Sequence, residues 1–223
     1  MNASSRSMFC FALLALLPAC AIYEEVEFGT EIASLRRNLP PERLWMNGFE
    51  KEPWQRGYAA GELNQDVVEY VRASETVENW TELLTMKVVW RTSKPYTYPG
   101  GQTFSEVPDP AAIMEATRIS AQERCSTPVT LRQLDEDRTG AYPSVMFYLA
   151  YGKLKNAADS PTAVESDVFR VFRGKHGLHM VIRARRASSL DEATLAEWTR
   201  YMKRFYVCDN TVPGQECGKK PSP

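Results

Sequence analysis

Of its 223 residues the chain has only two histidines and five cysteines, and its 27 Lys plus Arg nearly cancel 28 Asp plus Glu. A formal charge of -1 supplies no basic footprint, so general nucleic-acid binding is not expected. No pair of cysteines has C-x-x-C spacing, and two histidines leave little to build a zinc centre from, so neither a metal nor a cofactor is expected. There is no G-x-S-x-G elbow, no H-E-x-x-H, no Walker A loop and no G-x-G-x-x-G. No stretch reaches the roughly 18 apolar residues of a membrane-spanning helix. No repeat at periods of about 20 to 50 residues points to a solenoid.

What is present is enough for a core. With 43% hydrophobic and 11% aromatic residues the composition is that of a folding chain, and about 200 residues fit a single domain. Arg6 precedes the apolar run Met8 to Leu17, which ends in Pro18, Ala19, Cys20 and Ala21. That is the layout of a bacterial export signal over residues 1 to 21, and about 15 Å of helix is too short to span a bilayer. Ala19-Cys20-Ala21 suits release of a soluble protein beginning at Ile22. Leu17-Pro18-Ala19-Cys20 resembles a lipobox, which would leave Cys20 acylated and the protein lipid-anchored. Both outcomes place the protein in the periplasm or at the outer membrane.

Export favours a disulfide among the remaining Cys125, Cys208 and Cys217. Cys208 and Cys217 flank the loop-forming string Asp209 to Gly214 and are the favoured pair, with Cys125 to Cys208 the competitor.

Residues 22 to 56, punctuated by Pro40-Pro41, Gly48 and Pro53, read as an irregular leader with a short helix near 29 to 38. A single domain is expected over 57 to 208, followed by a tail over 209 to 223. Alternation predicts strands over 58 to 63 and 66 to 71, one helical turn at 77 to 82, and a strand over 83 to 91 with Leu84, Met86, Val88 and Trp90 on one side. Residues 96 to 101 read as a loop. Asp109-Pro110 predicts a capped helix to about Arg124, and further strands are expected over 128 to 134 and 144 to 154. Residues 167 to 186 read as a hairpin closed by Gly174-Lys175-His176-Gly177, which pairs Phe169 with Ile182 and Val171 with Met180. Ser189 with Glu192 has capping-box form, and Leu195, Trp198, Met202 and Phe205 recur at helical spacing. That stripe is expected to cover the sheet face bearing Val171 and Met180.

The run Glu75-Thr76-Val77-Glu78-Asn79-Trp80-Thr81, between two strands, resembles a group of uncharacterised exported proteobacterial proteins that look like the PsbP-like architecture. The resemblance covers about 20 residues and implies an α+β fold, a curved antiparallel sheet with an internal and a C-terminal helix packed on it. It implies no catalytic residue. Asn79, Trp80 and Thr81 read as a structural corner with Trp80 as its buried anchor.

The hairpin gathers Arg170, Arg173, Lys175, Arg183, Arg185 and Arg186 in 17 residues without an acid. Its register sets Arg170, His179, Arg183 and Arg185 opposite the apolar face, looking outward, as a candidate anion-binding group. Glu165, Asp167, Asp191 and Glu192 are candidate internal counter-charges. The expectation is a non-enzymatic envelope protein, a binding or assembly accessory whose partner is another envelope protein or an anionic envelope component, with membrane contact only through an N-terminal lipid. Two rivals are a hydrolase or thiol enzyme, for which Cys125 and His176 are the available pair, and a carrier of hydrophobic ligands between sheet and terminal helix.

Overall fold

Period-two alternation on nearly every long segment builds one dominant sheet. The computed structural model describes residues 41–62, 65–91, 96–97, 103–155 and 164–218. Seven antiparallel strands stand in the order β2-β3-β4-β10-β9-β8-β7, curved but not closed. They are β2 (Trp54–Glu62), β3 (Gln65–Arg72), β4 (Glu82–Trp90), β7 (Thr130–Asp137), β8 (Ser144–Ala150), β9 (Ser166–Arg173) and β10 (Gly177–Arg185). A two-residue pair, β5 (Tyr96–Thr97) with β6 (Thr103–Phe104), stands where a loop is expected. The fold is α+β with both helices packed on the sheet.

The β9–β10 register is the expected one, with Phe169 opposite Ile182 and Val171 opposite Met180. Glycine is required at its turn because a Cβ on Gly177 would lie 2.5 Å from the Val89 carbonyl oxygen, and a Cβ on Gly174 would crowd a Glu42 carboxylate oxygen at 2.6 Å. That carboxylate accepts the N–H groups of Lys175 and His176 at 2.6 and 3.0 Å and so fixes the turn.

Both sheet faces are covered. The internal helix α1 (Pro110–Arg124) has Asp109 as its N-cap, accepting from Ala111 N, as expected. Ile113, Ala116 and Ala121 pack on the face bearing Phe147, Leu149, Phe169, Val171 and Met180. The C-terminal helix α2 (Glu192–Met202) buries Leu195, Trp198 and Met202 on the opposite face, with Leu84, Met146, Phe172 and Val181. This corrects the expected docking of the terminal stripe: the Val171 and Met180 face is already filled by α1, and the other face is just as apolar. The N-cap is Asp191, accepting from Thr194 N at 2.7 Å, and not Ser189.

Two further expectations change. The leader is not irregular throughout: β1 (Glu42–Met46) pairs antiparallel with β11 (Phe205–Asp209), and β2 begins at Trp54. This two-stranded layer lies beside α2, with Met46, Phe205 and Val207 in the same core. Residues 77 to 82 form no helical turn but a bend held by Thr76 and Asn79, which exchange backbone hydrogen bonds of 3.3 and 3.0 Å. The export signal, Cys20 and the helix expected at 29 to 38 lie outside the described residues. Cys208 is bonded to Cys217, and Cys125 is free and buried. Closing a ring of about ten residues contributes on the order of 2 to 3 kcal/mol.

Candidate anion-binding site

The four residues expected to look outward do not, because α2, β1 and β11 lie over them. Arg170 is a structural cap: its Nη1 donates to Met202 O at the end of α2 and to Phe205 O at the start of β11, at 2.9 and 2.8 Å. Burial pushes its guanidinium down to about 10 against the pull of Asp135 and Asp137. His179 is fully buried, with its Nε2 3.7 Å from a Glu42 oxygen and neither ring nitrogen hydrogen-bonded. Burial pushes its imidazole below the usual value despite Glu42.

Arg183 and Arg185 do converge, on residues that sequence spacing did not connect. On the α2 face, sheet register runs a row from Trp54 on β2 to Arg72 on β3, Glu82 on β4 and Arg185 on β10, with Arg183 one step along. Glu82 receives three guanidinium groups. Arg72 Nη2 lies 2.5 Å and Arg183 Nη2 3.0 Å from Oε2, and Arg185 Nη2 donates to Oε1. Burial would raise the Glu82 carboxyl, but hydrogen bonds from Arg185, Arg183 and Arg72 hold it at about 2. Of the acids expected as counter-charges, Asp191 feels Arg185, whose charge adds to the Thr194 hydrogen bonds in holding the Asp191 carboxyl down, though no salt bridge joins the two among the described residues; Glu192 pairs with Arg132.

Aromatic rings lie against all three guanidiniums. Arg72 Cζ lies 4.0 Å from the Trp54 ring centre, Arg183 Cζ 4.3 Å from Trp198 and 4.8 Å from Tyr201, and Arg185 Cζ 5.1 Å from Trp198. Trp54 Nε1 donates to the Tyr201 hydroxyl at 3.0 Å, which ties the first strand of the row to α2. Three cations make hydrogen bonds to one carboxylate, and Asp191 feels Arg185 without bonding to it, so positive charge is in excess at the row. Glu197, 3.9 Å from Arg183 with its side chain 64% exposed, offsets little of it in salt. Arg183 is buried and its Nε has no hydrogen-bond partner. The side chains of Arg72 and Arg185 are 29% and 34% exposed, so the row opens to solvent at these two groups.

The Asn79-Trp80-Thr81 corner is where its residue types put it. Trp80 is buried with Val71, Leu83 and Ala184, and Thr81 Oγ1 donates to Glu75 at 2.5 Å. Arg186 lies over the Trp80 ring at 4.6 Å. Cys125 and His176 are not brought together. Cys125 bridges to Leu154 beyond the end of β8, whereas His176 sits in the turn at the other end of β9. Among the described residues no group of three or more His, Cys, Asp or Glu is placed to hold a metal ion, and no helix is long and apolar enough to cross a membrane.

Sequence reasoning named Glu165 and Asp167 as counter-charges but missed the burial that shifts them, and Glu69 with them. Burial, with Glu165 adding to it, pushes Glu69 up to about 7, and burial raises Glu165 to about 7 and Asp167 well above the usual range. Asp167 is 1% exposed, with Oδ1 lacking a hydrogen bond. The signal was available: Asp167 shares strand parity with Phe169 and Val171, an inward position.

A scan against protein-family models found no match, and neither did a search of curated proteins.

Proposed function

We propose that the protein is an exported binding or assembly accessory of a bacterial cell envelope, not an enzyme, and that it engages a partner protein through carboxylate groups at the Arg72–Glu82–Arg185 row. The observation that carries this reading is the surplus of guanidinium over carboxylate at a partly open, aromatic-backed row. Guanidinium forks match carboxylates in a bidentate manner, and contact with Trp54 and Trp198 restricts where the groups can sit. The groups in the row bind and orient rather than transfer protons, since Glu82 stays ionised down to about pH 2 and arginine does not titrate near neutrality. The layout of residues 1 to 21 and a disulfide suited to an oxidising compartment support export, and acylation of Cys20 would tether the domain to a membrane. The PsbP-like resemblance around Trp80 agrees with an envelope accessory.

A protein carboxylate is favoured over a lipid headgroup because Tyr58 is the only large hydrophobic side chain exposed among the described residues, which gives a bilayer little to receive. Surface-bound poly-glutamate and phosphatidylglycerol vesicles separate the two. The full chain should bind poly-glutamate with an affinity that falls as salt rises, and Arg72→Gln with Arg185→Gln should weaken it at least tenfold. Binding to the vesicles alone, or binding that ignores the double substitution, overturns the reading.

A further inference from the structure

The sequence holds a single Asn-Gly pair, Asn47-Gly48, and the fold sets it in the turn that leaves β1. Asn47 is exposed. Gly48 has φ 75°, and a Cβ built on it would meet nothing within 4 Å, so glycine serves the backbone conformation here and not close packing. The Gly48 N–H makes no hydrogen bond among the described residues. With no side chain beside it this nitrogen is unhindered, and its attack on Asn47 Cγ would close a five-membered ring.

The surroundings of Asn47 Oδ1 distinguish this pair from the same dipeptide in a loose chain. Trp45 Nε1 donates to Oδ1 at 2.9 Å and the Tyr206 hydroxyl at 3.0 Å. An indole N–H can only donate, which assigns the atom it meets as the amide oxygen. Trp45 on β1 and Tyr206 on β11 are directly paired, so the strand register holds the two donors side by side. The Tyr206 hydroxyl accepts from Gly218 N at 3.2 Å, which leaves its proton for Asn47. Burial pushes that hydroxyl above its ordinary value, so it stays a donor in mildly alkaline solution, where a backbone amide is most readily deprotonated. Donors fixed on a carbonyl oxygen stabilise the negative charge that develops there when the carbon is attacked.

We propose that Asn47-Gly48 is a self-modification site, at which Trp45 and Tyr206 form an oxyanion hole that activates the Asn47 side-chain amide for deamidation. The Gly48 nitrogen gives its proton to solvent base and bonds to Cγ, and the carbonyl electron pair moves onto Oδ1 between the two donors. That pair returns as the Cγ–Nδ2 bond breaks. Nδ2 takes a proton from solvent and leaves as ammonia, and a succinimide remains. Water then opens either ring carbonyl to give an aspartate or an isoaspartate at this position, so water is consumed, ammonia is released and nothing is oxidised. The isoaspartate form lengthens the main chain by a methylene between the β1–β11 pairing and Phe49, whose ring centre lies 4.9 Å from that of Tyr70 and 6.4 Å from that of Phe205. The site is independent of the arginine row.

The test follows the full chain in mildly alkaline buffer over weeks by peptide mass spectrometry, with electron-transfer fragmentation to tell isoaspartate from aspartate. Folded wild type should convert at Asn47 at least tenfold faster than a double variant carrying Trp45→Phe and Tyr206→Phe, which keeps both rings and removes both donors. It should also convert faster than wild type held unfolded in urea, a comparison that stands whether or not the double variant keeps its urea midpoint. A double variant that converts within tenfold of wild type overturns the proposal. So does conversion that is as fast in urea, which would leave the dipeptide alone to set the rate, or a folded wild type in which Asn47 stays unconverted.

Discussion

Glu82 holds the α2 side of the sheet electrically, because removing its charge leaves Arg72, Arg183 and Arg185 facing one another around a buried point. Glu82→Gln should cost about 3 to 5 kcal/mol in urea unfolding, the range for breaking a buried pair from one side. Arg72→Gln should cost about 1 kcal/mol, since its side chain is partly solvated and Glu82 keeps two partners. Glu69 gives a pH dependence of definite sign. Its folded value of about 7 stands above its ordinary 4.5, so its contribution is complete below about pH 4.5 and is lost as pH rises through 7. A difference of about 2.5 units corresponds to about 3 kcal/mol. His179 acts oppositely: its folded value lies below 6.5, so its contribution holds above that pH and is lost as pH falls further. Glu165 and Asp167 are raised by burial as Glu69 is, and three raised carboxyls against one lowered imidazole make unfolding midpoints decline from pH 5 to 8; Glu69→Gln should flatten the decline, and an unchanged slope in that variant contradicts the assignment.

Among the elements, those with a local signal were legible in the sequence and those that depend on distant pairing were not. The cap Asp109-Pro110 marks α1, and two glycines around Lys175-His176 set the β9–β10 register, because both are decided within a few residues. Nothing local marks β1, whose partner β11 lies more than 150 residues away. The side of the sheet taken by α2 was also hidden, since Phe169 and Val171 on one face and Phe172 and Val181 on the other are equally apolar. Arg170 and Arg183 suggested an outward face, but one caps α2 and the other meets Glu82, a neighbour only once β4 pairs with β10. Trp198→Ala should cost about 3 to 5 kcal/mol. In double-mutant cycles it should couple to Val181→Ala and add independently with Met180→Ala, which lies across the sheet. Coupling to Met180 would restore the docking expected from the sequence.

At the scale of the molecule, a sheet filled on both faces leaves its chemistry at one end, where Trp54, Arg72, Glu82 and Arg185 cross four strands from β2, the last strand in the sheet order, to β10. The row combines fixed positive charge with partial exposure, whereas Arg170 and His179 are enclosed and committed to α2 and to the Glu42 neighbourhood. The central claim is that this row, and no other arginine group, receives the partner's carboxylates. The direct measurement is a titration of the full chain with hexaglutamate, followed through the arginine Nε–H resonances. The account predicts that the signals of Arg72, Arg183 and Arg185 move together and saturably while that of Arg170 stays in place. Movement confined to surface arginines such as Arg118 and Arg138, with the row unmoved, would contradict it.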